Sequence, residues 1–308
     1  MRNPRNGGKA CPNLTETRAD CRVTAWSAWS ANFGFGQQSR VRTVITQPIG
    51  SGKQCPILEE IRYTGVFPSV NITAKNVQDF FARPNGPASI PSQPISQTTD
   101  LPRDLVIIMD SSGSIGTAAF QVGKEQTSKL IGLLCPNSPF DMIAGSPYQY
   151  NQAAMVTYST NVVTNFNFNT YSTTVGIQRA IMRAVYVGGS TNTYKAFDQA
   201  RSLFQPSNGV RVATRAKREV LILTDGRSTN QAQTLAAVER LKPVADIYGL
   251  MIGSYSSAGM NELTKYVSSP INEHLFYIQN YQQLKDLLRL IETEKQHAGA
   301  NWCAPFIG

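Results

Sequence analysis

The sequence predicts a mixed α/β fold with a doubly wound, mostly parallel sheet flanked by helices. One observation is the continuous apolar run from Leu105 to Met109, which is typical of a strand buried on both faces of such a sheet. A second observation is that, from Arg103 onward, apolar runs alternate with segments of helical spacing. This alternation predicts right-handed crossovers that place helices on both faces of the sheet.

The predicted elements follow in chain order. Strands are predicted at 104–110, 152–158, 162–168, 219–225, 245–252 and 274–278. Helices are predicted at about 117–134, 171–186, 194–204, 231–241, 259–267 and 281–294. The last helix carries an apolar stripe at helical spacing, so we expect it to pack against the sheet. The members of the stripe are Leu284, Leu287, Leu288 and Ile291.

The 308 residues exceed one typical core, so two domains are expected. Residues 1–65 have few long apolar runs, and a Pro- and Ser-rich stretch at 84–102 predicts an extended linker. Gly8–Arg18 also resembles Gly52–Arg62, which predicts the tail of a truncated repeat at the start. We expect a repeat tail at 1–19, a small module at 20–65, a connecting segment at 66–102, an α/β domain at 103–298 and a tail at 299–308.

The formal charge of +9 is spread along the chain. A diffuse excess favours acidic partners such as sulfated glycans weakly, and does not by itself indicate nucleic acid. The densest basic cluster is expected to be a solvated loop, with a heparin site as the alternative; its members are Arg211, Arg215, Lys217 and Arg218. No stretch approaches the ~20 apolar residues that span a bilayer. We therefore expect no nucleic-acid partner and no membrane span in this chain.

A set of oxygen-bearing residues follows the first predicted strand of the sheet. Asp110, Ser112 and Ser114 alternate directly after it, where ligands bind in open parallel sheets. Thr191 lies in a Gly-Gly-Ser-Thr loop, and Asp225 ends another buried strand before a glycine. We expect these residues to converge at one edge of the sheet. Carboxylates and hydroxyls are hard oxygen ligands, so the pattern predicts a site for Mg²⁺ or Mn²⁺.

Residues 103–298 resemble a von Willebrand factor type A domain, and the resemblance rests on Asp-x-Ser-x-Ser, the loop threonine and the Thr-Asp-Gly strand end. It implies a metal-ion-dependent adhesion site in which Ser112, Ser114 and Thr191 supply hydroxyl ligands. Asp110 and Asp225 would act largely through bridging waters. A carboxylate of a protein partner would complete the coordination of the cation. Two further stretches, 225–229 and 269–278, resemble A domains of matrilins and of collagen-associated proteins.

Two other interpretations of these residues remain open. In the first, the motif residues only cap turns at the ends of strands, and no cation binds. Catalysis is the less favoured interpretation, because His274 and His297 are the only histidines and neither has neighbours that would make it a general base. A regulatory A domain attached to a protease would need a catalytic domain that this chain does not include. We expect no enzyme activity.

Residues 20–65 resemble a thrombospondin type 1 repeat through Trp26, Trp29, Arg40 and Arg42. The resemblance implies a thin three-stranded ribbon in which guanidinium groups stack on indole rings, a contact that stabilises a module with little core. These four residues are candidates for structural stacking or for a glycan-binding face. The Cys-Ser-x-x-Cys segment of the family and its last cysteine are absent.

Five cysteines make an odd total, so at least one is free or joins another chain. The thrombospondin resemblance leaves one bridge, between Cys21 and Cys55. Cys135 and Cys303 are candidates to pair across the A domain, although Cys11 competes for either. If the chain is secreted, two triplets predict N-glycosylation, at Asn13 and Asn71.

Together these features predict a secreted, non-enzymatic adhesion protein of the extracellular matrix. Its A domain would bind a divalent cation and capture an acidic residue of a protein ligand, with collagen as the leading partner. Matrilins and matrix proteins of byssal threads are expected relatives. The alternative is a cell-surface adhesin that binds sulfated glycans through basic surfaces of the repeat and the A domain.

Overall fold

The computed structural model describes residues 18–82, 101–134, 151–253, 257–299 and 302. The chain divides into two compact units. The smaller comprises the residues up to Trp29 together with Ser39–Ile61, and the larger comprises Ser30–Gln38 and the chain from Arg62 onward. Several predicted features lie outside the described residues: Cys11, Asn13, Cys135, Cys303 and nearly all of the linker.

Four short strands lie in the first part of the described chain. They are β1 (Arg22–Val23), β2 (Gln37–Val41), β3 (Val44–Thr46) and β4 (Glu59–Tyr63). β1 pairs antiparallel with β3, and β2 pairs with β4, as two separate two-stranded sheets. The three-stranded ribbon expected from the resemblance is therefore not what the structure shows. The tryptophan segment that would supply a third long strand is irregular, and it follows the two-residue strand β1.

A disulfide joins Cys21 to Cys55 in the smaller unit, with their Cα atoms 5.0 Å apart. The two cysteines are 34 residues apart in the sequence, so the bond closes a long loop. Beside it, the Arg42 guanidinium lies 4.2 Å from the Trp26 ring centroid, and that of Arg40 lies 4.8 Å from the Trp29 ring centroid. The unit is thus held by a covalent cross-link and by cation–π stacking.

Removing this cross-link should destabilise the smaller unit strongly. We expect the double variant Cys21→Ser/Cys55→Ser to lose about 4 kcal/mol of unfolding free energy, because a loop of this length restricts the unfolded chain. Urea unfolding followed by tryptophan fluorescence measures the loss. A Trp302→Phe background limits the signal to Trp26 and Trp29. An unchanged midpoint would contradict the prediction.

The larger unit contains a six-stranded sheet in the order β10-β9-β8-β5-β6-β7. Its strands are β5 (Arg103–Asp110), β6 (Gln152–Tyr158), β7 (Val162–Phe166), β8 (Lys217–Thr224), β9 (Asp246–Ile252) and β10 (Leu275–Ile278). Five strands run parallel, and the edge strand β7 runs antiparallel to β6. The prediction of a mostly parallel sheet is confirmed.

Helices cover both faces of this sheet. They are α1 (Val70–Asn76), α2 (Gly116–Ile131), α3 (Thr174–Met182), α4 (Thr193–Leu203), α5 (Gln231–Leu241), α6 (Ser257–Tyr266), α7 (Ile271–His274) and α8 (Tyr281–Ala298). A π-helical turn continues α1 over Val77–Ala82. Alternate residues of β5 face the two cores: Ile107 packs with α2, α3 and α8, whereas Ile108 packs with α4, α5 and α6. None of the described helices is both long and apolar enough to cross a membrane.

Three details differ from the sequence prediction. Helix α3 is shorter than 171–186, because the Thr173 side chain accepts a hydrogen bond from Gly176 N at 3.1 Å and starts the helix there. His274 ends the short helix α7 instead of starting a strand, and its ring stacks on Tyr248 with centroids 4.4 Å apart. Arg211 is buried against Asp104 at 2.6 Å, so the basic cluster is not wholly solvated.

The segment before β5 belongs to the core of the larger unit. Phe81 and Ala82 are buried, and the Phe81 carbonyl accepts a 2.6 Å hydrogen bond from Arg103 Nη2. Residues 30–38 also belong to this unit: Phe35 packs on Tyr277 with ring centroids 4.5 Å apart. The compact units therefore divide the chain differently from the boundaries 20–65 and 103–298 that the sequence predicts.

Candidate metal centre

Asp110 is the last residue of the central strand β5 and is almost fully buried. Its Oδ1 accepts a 2.8 Å hydrogen bond from Ser112 N. Its Oδ2 accepts from Thr224 Oγ1 at 2.8 Å and from the Tyr158 hydroxyl at 3.0 Å. Burial raises the pKa of Asp110, while the hydrogen bonds from Ser112, Thr224 and Tyr158 lower it and so favour the charged form.

A chain of oxygen atoms leads from Asp110 to the surface. The buried Ser112 places its Oγ 3.2 Å from Ser114 Oγ, and the exposed Ser114 donates to Asp225 Oδ1 at 3.0 Å. Asp225 follows β8 directly and is half-buried. Burial, and then the negative charge of Asp110, raises the pKa of Asp225 to about 6. The sheet edge thus brings together two carboxylates that repel each other.

The loop that carries Thr191 is tied to the turn after β5. Gly188 N donates to Ser111 O, and Gly113 N donates to Gly189 O, both at 2.9 Å. A Cβ at Gly113 would lie 3.3 Å from Gly189 O, so the two loops approach closely. Gly189 has φ +98°, a conformation that glycine adopts most readily.

Thr191 is held from its other side by Thr229. Thr229 N donates to Thr191 O at 2.9 Å, and Thr191 N donates to Thr229 Oγ1 at 3.0 Å. Because its backbone groups make these bonds, the threonine has a defined position beside the two strand ends. The structure therefore brings all five predicted ligands to one edge of the sheet.

The donor set of this edge fits a hard divalent cation. It offers the two carboxylates and the hydroxyls of two serines and a threonine, and oxygen is the ligand that Mg²⁺ and Mn²⁺ prefer. Among the described residues, no three His, Cys, Asp or Glu side chains cluster as a metal site. A cation here would therefore depend on the hydroxyls as well as on the carboxylates.

A family model of the von Willebrand factor type A domain matches residues 104–290, more than half of the chain. The chain belongs to this family. Curated relatives include Matrilin-3 of Gallus gallus, 29% identical over 66% of this chain and 42% of its own length. Another is the Collagen alpha-1(XII) chain of Notophthalmus viridescens, 28% identical over 65% of this chain and 20% of its own length. The chain thus spans less than half of these relatives.

Solved structures show the same fold. The chain is similar to proximal thread matrix protein 1 from the mussel byssus with a zinc-occupied MIDAS motif. The TM-score is 0.54 at 22% identity, and the match covers 62% of this chain and 47% of that chain. At this identity the likeness concerns the fold alone.

Two groups around the A-domain site lie outside the motifs quoted from the sequence. Tyr158, which donates to Asp110, is the last residue of β6, the strand next to β5. Its position at the end of a predicted strand is the sequence feature that could have indicated a place near the site. The second group is the hydroxyl of Tyr281, at the start of α8, whose pKa responds to the charges of the site. Burial first, and then the charges of Asp225 and Asp110, raises the pKa of Tyr281. No local pattern in the sequence indicated Tyr281.

The surface beside the site combines apolar and basic side chains. Val185 and Val187 are exposed on the segment that leads to the Thr191 loop, and Val187 N is fixed by a 2.8 Å bond to Ser111 Oγ. Arg227 is exposed two residues after Asp225.

The other candidate residues make internal contacts. Arg40 forms an ion pair with Glu60 at 2.6 Å, and Arg42 Nε donates to the Ile57 carbonyl at 2.8 Å. Asn71 is exposed on the first turn of α1, but the threonine of its triplet, Thr73, is buried.

Proposed function

We propose that the A domain binds Mg²⁺ or Mn²⁺ and captures an acidic residue of an extracellular matrix protein, with collagen as the first candidate. The observation that carries the proposal is the hydrogen-bonded series Asp110, Ser112, Ser114 and Asp225, whose side chains all present oxygen atoms, with Thr191 held beside it. A cation held by these residues would attract a carboxylate of the partner.

The hydroxyls and the carboxylates of the site would have different roles toward the cation. Ser112, Ser114 and Thr191 would contribute neutral hydroxyls, so much of the cation's positive charge would stay available to a partner carboxylate. Asp110 is almost fully buried, and its three hydrogen bonds fix the carboxylate: Ser112 N bonds its Oδ1, while Thr224 and Tyr158 bond its Oδ2. Asp225 would balance part of the charge nearer the surface.

A binding function is favoured over catalysis by the position of His274. His274 Nδ1 lies 2.9 Å from the Pro270 carbonyl, and its ring stacks on Tyr248. The site residues themselves are hydroxyls and carboxylates, and none of the hydrogen bonds of its serines goes to an imidazole. We therefore propose a non-enzymatic protein.

Matrix location and partner are inferred from the relatives. Matrilins and collagen chains are extracellular matrix proteins, and this A domain matches theirs. We propose that the protein is secreted into the matrix. Capture of a protein is favoured over binding of sulfated glycans, because Arg40, Arg42 and Arg211 use their guanidinium groups in internal contacts.

Binding to immobilised fibrillar collagen tests the proposed function. The full chain should bind in Mg²⁺ or Mn²⁺ and lose binding in EDTA, because the partner carboxylate needs the cation. A thermal-shift titration with each ion should raise the melting temperature, since a ligand that binds only the folded state stabilises it. Collagen binding that survives EDTA would contradict capture through a cation. Cation binding without collagen binding would keep the site and exclude collagen as the partner.

A further inference from the structure

Glu262 of α6 is a buried carboxylate outside the predicted cation site. Three hydrogen bonds converge on its Oε2: from Ser228 N at 2.8 Å, from Ser228 Oγ at 2.9 Å and from the Tyr266 hydroxyl at 2.6 Å. Ser228 and Tyr266 are buried as well. The carboxylate therefore fixes both the backbone and the side chain of Ser228 away from water, where such bonds are strongest.

Ser228 connects this carboxylate to the cation site. The next residue, Thr229, makes the two bonds that hold Thr191, at 2.9 and 3.0 Å. Asp225 lies three residues before Ser228, on the same loop after β8. One buried anchor thus restrains the loop that carries Asp225 and the threonine that positions Thr191.

The N-terminal part of α6 also packs against this loop. A Cβ at Gly259 would lie 3.3 Å from Arg227 N and 3.3 Å from the Gly226 carbonyl carbon. The helix therefore approaches the backbone of residues 226 and 227 closely, and Glu262 binds the same loop one helical turn later. These contacts leave the loop little freedom to move relative to α6.

We infer that Glu262 is a positioning residue of the cation site. It holds the loop of residues 225–230 in place before the cation binds. Asp225 and Thr191 are then already positioned, and the loop loses little conformational entropy when the cation binds. The inference rests on the proposed function. Groups that orient metal ligands in this way affect metal affinity by about 10–100-fold in proteins.

Two substitutions separate the hydrogen-bond acceptor from the charge. Glu262→Gln keeps an oxygen that accepts the three bonds, because all three fall on one atom. Glu262→Leu removes the acceptor. We expect Glu262→Leu to weaken Mn²⁺ binding by about 10-fold or more, measured by calorimetry on the full chain. Glu262→Gln should retain most of the wild-type affinity.

A merely structural role is tested by a matched destabilised variant. Leu203→Ala makes a cavity at the C-terminal end of α4 and should lower the unfolding free energy by about 2–5 kcal/mol. Unfolding in EDTA measures the stability of each variant, and titration well below their melting temperatures measures Mn²⁺ affinity. Leu203→Ala should leave the affinity of the folded protein unchanged, whereas Glu262→Leu should reduce it.

Thr229→Val keeps the inference testable if Glu262→Leu does not fold. Thr229 is exposed, so the variant should fold, and it removes the hydroxyl that accepts from Thr191 N. We expect weaker Mn²⁺ binding here too. If the wild type binds Mn²⁺ and Thr229→Val binds it equally well, as does Glu262→Leu where that variant folds, the positioning role is wrong and the proposed function stands. If the wild type binds no Mn²⁺, the proposed function fails and the positioning role with it.

Discussion

Asp110→Asn should strongly weaken cation binding while the A domain stays folded. The substitution removes the negative charge of the buried carboxylate, and we expect Mg²⁺ and Mn²⁺ affinity to fall by about 100-fold. That factor corresponds to about 2.8 kcal/mol of binding free energy. Calorimetric titration measures the affinity, and collagen binding should fall in parallel.

Asparagine removes the charge of Asp110 but can still make its hydrogen bonds, so a loss of cation affinity can be attributed to the charge. The amide oxygen can accept from Ser112 N, and the amide nitrogen can donate to the hydroxyls of Thr224 and Tyr158, which also accept hydrogen bonds. Alanine would instead remove the acceptor that all three of these groups share, and each lost buried hydrogen bond costs about 1–3 kcal/mol. A loss of binding in Asp110→Ala alone would therefore mix unfolding with loss of the site.

Asp198→Asn is the matched control. Asp198 forms an ion pair with Arg240 on the surface of α4 and α5, with 44% of its side chain exposed. The same chemical change there should leave cation affinity and stability nearly unchanged. Equal titrations for Asp110→Asn and the wild type would contradict the assignment of Asp110 to a cation site.

Arg103→Met should destabilise the larger unit by about 3–5 kcal/mol. Arg103 is fully buried, and its Nε lies 2.8 Å from Glu219 Oε2. Burial raises the pKa of Glu219 even though the charge of Arg103 lowers it. Removing the arginine would leave a buried carboxylate uncompensated, and would also remove the hydrogen bond to the Phe81 carbonyl.

A double variant distinguishes loss of pairing from loss of packing. Arg103→Met/Glu219→Leu replaces the ion pair by apolar side chains and should recover much of the stability lost in Arg103→Met. Arg240→Ala breaks an exposed ion pair and should cost less than about 1 kcal/mol. Urea unfolding by circular dichroism compares the variants. If Arg103→Met lost no more unfolding free energy than Arg240→Ala, the prediction would be wrong.

Some of these features were predictable because they depend on local patterns. The alternation of apolar runs predicted the central sheet, and the residues after β5 and β8 predicted where Asp110 and Asp225 would meet. Strand β7 shows the limit: its apolar pattern indicated a strand, but its antiparallel direction follows from the short turn at residues 159–161.

The sequence by itself determined the A-domain fold and the five candidate ligands, because the ends of parallel strands must converge at one edge of a sheet. Only the tertiary structure showed that residues 30–38 and 70–82 belong to the larger unit, and that Glu262 anchors the loop beside the site. These contacts join residues far apart in the chain. No local periodicity encodes them, because burial and hydrogen bonding across such distances depend on how the finished elements pack.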